Sequence, residues 1–209
     1  YLTLQLMSLQ VPMVIALNMM DELRGNGGSV DVQKMSEELG VPVVPISAAK
    51  NEGISELVDT LLTTAQKREA PKVQDFCPEG PVHRCIHAVC HIIEDHAQRV
   101  GISRRFCATK LIEGEKDFCD QLELSRNEKE LIEHAVAEME YDSGLDRNAA
   151  LADMRYNFIE KVCASCVTKA RESREHRRSV AIDRVLTHRF FAIPLFIAIM
   201  CLVFFLTFN

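Results

Sequence analysis

Two short apolar runs and one long one set the pattern of this chain. Val11-Pro-Met-Val-Ile-Ala-Leu17 and Val41-Pro-Val-Val-Pro-Ile46 are too short and too uniformly apolar for surface helices, and turn residues bound both. Such runs read as buried strands of a parallel sheet. Between them, Asp31 caps a helix whose apolar positions are Val32, Met35 and Leu39, with Gly40 as its stop. After the second run, Gly53 to Leu62 repeats the helical spacing through Ile54, Leu57, Val58, Leu61 and Leu62. Strand, helix, strand, helix with right-handed crossovers makes one half of an open α/β sheet. Ligands of such sheets bind beyond the carboxyl ends of the strands, where Asn18 to Asp21 and Ser47 to Lys50 fall.

From about residue 70 to 180 the strand pattern disappears. Ile86, Cys90, Ile93, Ala97 and Val100 form one helical stripe, and Leu131, Ile132, Ala135 and Met139 a second. Leu151, Met154, Phe158, Val162 and Cys166 form a third, with breaks near Gly101, Gly114 and Asp142-Ser-Gly144. This is a small all-α domain, and no internal repeat is visible. The expected boundaries are 1–67 for the α/β part, 68–185 for the helical domain and 186–209 for the segment that carries the long apolar run.

That run, Phe190 to Phe208, holds nineteen residues without a charge. It matches the roughly 20 residues a helix needs to cross a bilayer. Arg171, Arg174, Arg177, Arg178, Arg184, His188 and Arg189 precede it. The basic excess predicts that residues 1 to about 188 are cytoplasmic. Pro194 falls in the first turn or so of the span, where it is tolerated.

Charge and cysteine usage narrow the class. A net charge of -6 over 209 residues argues against a nucleic-acid surface covering the molecule. The eight cysteines are scattered and no secretory signal precedes them, which fits a reducing compartment. The chain opens on Tyr1 and stops directly after the apolar run, so a piece of a longer protein is expected.

The strand-end residues suit one ligand chemistry. The Watson-Crick edge of guanine offers two donors, which one carboxylate accepts as a pair. Its O6 and N7 are acceptors, which an amide NH2 and a backbone N–H satisfy. Asn18 and Asp21, three positions apart, supply the amide and the carboxylate. Twenty-six residues beyond Asp21, the small residues Ser47, Ala48 and Ala49 let a backbone N–H approach O6. An isolated Asn-x-x-Asp is more often an ordinary turn; here each segment follows a strand.

The two turns resemble the guanine-specificity motifs of the P-loop GTPases, Asn-Lys-x-Asp and Ser-Ala-Lys. Met19 departs from that pattern, standing where lysine lays its stem along the base, and Met20 beside it is counted among the base-contacting residues. Methionine packs there but brings no ammonium, so weaker nucleotide retention is expected. The segments "VPMVIALNMMDEL", "LGVPVVPISAAKNEGISELVD", "KLIEGEKDF", "ADMRYNFIEKVC" and "IDRVLTHRFFAIPLFIAIMCLVFFL" together resemble the ferrous iron transport protein B family over essentially the whole chain. The resemblance implies the C-terminal half of a GTPase domain, a helical spacer that influences nucleotide affinity, and the first helix of a multi-pass domain in the bacterial inner membrane. It implies GTP or GDP as ligand, Fe(II) as cargo and the lipid bilayer as surroundings, with a homo-oligomer or small accessory Feo proteins as partners. No Gly-Lys dipeptide and no Asp-x-x-Gly occurs in the sequence. The phosphate cradle, Mg2+ ligand and switches are therefore expected upstream, and this stretch is expected neither to hydrolyse GTP nor to conduct iron alone. The competing reading is a membrane-anchored GTPase or scaffold with a single tail anchor.

Other constellations have plainer readings. His83, His87 and His91 recur at i, i+4, as metal-ligating imidazoles on a helix do. Their stripe lies about 100° from the centre of the buried one, which reads as a boundary surface, so no metal site is assigned. Cys163-Ala-Ser-Cys166 reads as helix packing. Glu128 to Glu140 reads as a solvated face. Arg155 and Tyr156 suit either packing or a contact between spacer and GTPase parts.

Overall fold

Prolines trim both predicted strands. In the computed structural model, which describes residues 1–73, 75–168, 179–180, 182–184, 187 and 192–208, β1 is Ile15–Leu17 and β3 is Val43–Pro45. Pro12 and Pro42 have no N–H to give a ladder. The two strands pair in parallel, Ile15 opposite Val43 and Leu17 opposite Pro45. Ahead of β1, helix α1 (Leu2–Ser8) buries Leu4 and Met7; the strand pattern did not announce it.

Between the strands lie α2 (Met20–Gly25), β2 (Ser29–Val30) and α3 (Val32–Leu39). Asp31 caps α3 as predicted, its carboxylate accepting from the Lys34 amide, and Gly40 ends it in the left-handed region. Helix α4 (Ile54–Lys67) runs beyond the predicted stretch. Its expected apolar face is not covered by the described residues: Val58, Leu61 and Leu62 are exposed. Ala16 in β1 is exposed as well, so β1 is not the fully buried strand its composition predicts. The cause is common to both, since the sheet has two strands among the described residues.

The helical part comprises α5 (Pro81–Ile92), α6 (Glu94–Val100), α7 (Arg104–Glu113), α8 (Lys116–Gln121), α9 (Arg126–Ser143) and α10 (Arg147–Cys166). The first predicted stripe is split by Ile93 into α5 and α6, yet Ile86, Cys90, Ile93 and Ala97 all reach the core. Val100 and Leu131 do not. Helix α7 went unrecognised because Arg104 and Arg105 fall on or beside the same arc of the helix as its buried Cys107, Ala108, Leu111 and Ile112, which blurs the apolar stripe. Its Ser103, the Ser125–Glu128 capping box of α9 and the Asp146 cap of α10 define the helix starts.

Helix α10 belongs to two cores. Ala150, Leu151 and Met154 pack with α5, α7 and α9 residues, whereas Val162 and Cys166 pack with Met35 and Val43. A short β4 (Val167–Thr168) comes next and pairs with β2.

The described chain divides into two compact units: Tyr1–Met20 with Val30–Val167, and Asp21–Ser29 with the described residues from Thr168 onward. The second contains the apolar helix Ala192–Phe208, with most of its large side chains exposed. Among the described residues no helix is long and apolar enough to cross a membrane. At about 1.5 Å per residue this 17-residue helix falls short of the roughly 30 Å hydrocarbon core. Phe190 and Phe191, the start of the predicted run, lie outside the described residues, as do Arg171, Arg174, Arg177, Arg178, His188 and Arg189.

Candidate functional site at the strand ends

The parallel pairing of β1 and β3 brings their two subsequent turns side by side. The Ile46 amide donates to Leu17 O at 2.9 Å, and the Met20 amide donates to Ile46 O at 3.2 Å. The Asn18 side chain ties the turns together directly. Its Oδ1 accepts from its neighbour's amide, Met19 N, at 2.8 Å and from Ala48 N at 3.1 Å. Two N–H donors on one atom identify that atom as the oxygen. The Nδ2 group is thereby left facing outward as the donor.

Met19 stands in the left-handed region at φ 65 and is exposed, as a side chain laid along a planar ligand would be. Met20 differs from the expectation that it faces a ligand. It is buried, and it anchors the turn from beneath. Asp21 stands in the first turn of α2.

The second turn is a one-turn 3-10 helix, Ala48–Lys50. Ser47 is buried and exchanges backbone hydrogen bonds with Glu52, 3.0 and 3.1 Å, while Ala48 and Ala49 are exposed. Gly53 closes the loop at φ 75; a Cβ there would stand 2.4 Å from Pro45 O. Asn18, Met19, Ala48 and Ala49 thus share one exposed surface.

The histidine triplet is divided. His83 and His87 stand with ring centroids 4.3 Å apart, while His91 faces Glu94 at 4.0 Å. Asp75, which the sequence pattern did not single out, faces the first two. Its distance in sequence from the i, i+4 pattern concealed it. Cys166 is buried in helix packing as expected, whereas Cys163 is exposed. Burial pushes the Cys77 and Cys85 thiols up to about 11, which keeps them protonated and unreactive. Arg155 donates to Glu113 and to the Tyr1 hydroxyl, and Tyr156 lies against the Tyr1 ring at 5.5 Å.

A parallel strand pair with these tied turns, leading into a helical domain, defines the class: a P-loop GTPase G-domain fold with an appended helical domain. Solved structures share it. A variant of NFeoB from S. thermophilus bound to GDP is 34% identical, with a TM-score of 0.69, covering 80% of this chain and 63% of that one. The mGMPPNP-bound NFeoB gives 32% identity and a TM-score of 0.67, covering 83% and 64%. The family descriptions "Ferrous iron transport protein B" and "FeoB cytosolic helical domain" match residues 1–61 and 79–168 in tandem. The chain belongs to the ferrous iron transport protein B family. The Fe(2+) transporter FeoB of Legionella pneumophila (strain Paris) is 32% identical over all of this chain and 26% of its own length. That of Salmonella typhimurium is 28% identical, with the same coverage. The chain therefore spans about a quarter of the length of these curated relatives.

Proposed function

We propose that these residues supply guanine-base recognition, the helical spacer and the first membrane span of a GTP-binding Fe(II) transporter of the bacterial cytoplasmic membrane. The observation that carries the reading is the Ala48 N–H to Asn18 Oδ1 bond at 3.1 Å, which joins the two turns and commits the oxygen. The remaining Asn18 NH2 is the donor for guanine N7 and O6. A backbone N–H of the second turn completes O6, either Ala48 exchanged from Asn18 or the adjacent Ala49. Asp21 accepts from N1 and N2 of the base, and Met19 packs on its plane.

Phosphate and Mg2+ contacts are no part of what these residues provide, since neither a Gly-Lys dipeptide nor an Asp-x-x-Gly segment occurs in the sequence. The spacer leads in chain order to the apolar helix Ala192–Phe208, which begins the span together with Phe190 and Phe191. Nucleotide state biases the spacer, and the spacer biases the iron path; a coupling free energy between the two sites is the quantity that expresses this. Residues 1 to about 188 face the cytoplasm. The domain limits are 1–67, 68–185 and 186–209.

The test is Asp21→Asn in the whole protein. Replacing the carboxylate by an amide removes the acceptor for N2 and favours xanthine, whose C2 carries an oxygen. Weaker GDP binding with improved XDP binding is expected. Equal loss of both nucleotides would overturn the assignment.

A further inference from the structure

Asp75 Oδ2 lies 3.4 Å from His83 Nδ1 and 3.7 Å from His87 Nε2. Neither contact is an ordinary hydrogen bond, which closes to about 2.9 Å. His83 Nδ1 is sealed from water and, among the described residues, has no hydrogen-bond partner. Buried polar atoms of that kind call for an explanation.

The spacing itself offers one. Two ligand atoms each about 2.05 Å from a tetrahedral ion stand about 3.3 Å apart. The three atoms, one from each side chain, all lie within 4.8 Å of one another. His83 and His87 are one turn apart on α5, so the helix fixes both rings at once.

Asp75 is oriented by its surroundings. Its Oδ1 accepts from Cys77 N at 2.9 Å and from Arg105 Nη2 at 2.6 Å, which leaves Oδ2 turned to the two imidazoles. Outer contacts of this kind hold carboxylate ligands in metal sites. Asp75 and His87 also line a cavity of about 470 Å3, which provides room for water in the remaining coordination positions.

We propose that Asp75, His83 and His87 form a three-ligand site for a divalent first-row transition-metal ion. Two imidazoles and one carboxylate suit Zn2+ or Fe2+ and disfavour Mg2+ and Ca2+, which take oxygen ligands. The adjacent Arg105 offsets part of the carboxylate charge, so binding is moderate rather than tight. The site shares no residue with the turns after β1 and β3, and it stands or falls independently of guanine recognition.

The experiment titrates Co2+ into the metal-free protein and follows visible absorption, then displaces Co2+ with Zn2+. One equivalent with the strong bands of a four- or five-coordinate ion is expected. His87→Gln and Asp75→Asn should each weaken binding by more than about 100-fold, the upper end of losses from outer-shell partners alone. His91→Gln should leave it unchanged. His87 is half exposed, so its variant keeps the fold, checked by circular dichroism. Absence of a stoichiometric site in the parent protein, or equal binding by His87→Gln, would overturn the proposal.

Discussion

Arg155 Nη2 donates to Glu113 Oε1 at 3.0 Å, and both side chains are shielded, 8% and 15% exposed. The pair bridges α10 and α7, and the same guanidinium reaches the Tyr1 hydroxyl at 2.7 Å ahead of α1. Arg155→Ala takes one partner from Glu113 and leaves it Lys110, 2.9 Å away. A loss of about 1–3 kcal/mol is expected, because the shielded hydrogen bonds from Arg155 to Glu113 and Tyr1 are removed. Urea unfolding checks this; a loss under about 1 kcal/mol would show the pair to be a surface bridge in effect.

Asn18→Ala removes the link between the turns without touching the core, since Asn18 is exposed. Stability should change by less than about 1 kcal/mol. Affinity for a fluorescent GDP should fall by about tenfold or more, the equivalent of a 1.4 kcal/mol loss. A large stability change with intact affinity would make Asn18 a turn former only.

Met19→Lys adds the long stem and ammonium that the P-loop GTPase pattern carries at this exposed position. Slower GDP release in stopped-flow is the expected result. An unchanged release rate would mean that Met19 does not set retention.

Gly53→Ala puts a Cβ 2.4 Å from a backbone oxygen at a left-handed residue. Left-handed strain costs about 1 kcal/mol, and forced displacement of the chain adds about 1–3 kcal/mol. The Ser47–Glu52 bridge should open, and thermal unfolding and GDP affinity should both fall. Wild-type behaviour would show that the loop yields freely.

Glu128 closes the cap of α9. The Ser125 hydroxyl and amide, and then His96 at 2.9 Å, hold its carboxyl down at about 2 against an ordinary 4.5. A depressed carboxylate stabilises the fold above the unfolded value and loses that contribution as the pH falls. The stability difference between wild type and Glu128→Gln should therefore be full above about pH 4.5 and vanish towards pH 2. Chemical unfolding across that range checks it; a constant difference would point to lost packing instead.

What was legible in the sequence was what local chemistry fixes. Asp31 and Gly40 bound α3 by their own side-chain and backbone preferences, and the strand ends placed Asn18 and Ala48 on one surface. Helix α7 was hidden because Arg104 and Arg105 share the arc of its buried residues, and pattern reading needs a dry face opposed to a wet one. Met20 was grouped with its neighbours as a ligand contact, yet it stands one residue out of register with exposed Met19 and is buried. Asp75 was invisible because proximity to His83 and His87 arises only when the preceding loop folds back on α5.

Helix α10 fastens one end among α5, α7 and α9 and the other beside Met35 and Val43. Its 20 residues make a rod about 30 Å long, so a tilt of about 5° at one end sweeps the other through roughly 2–3 Å. A displacement at the end beside Val43 of β3 would thus arrive enlarged at the end among α5, α7 and α9.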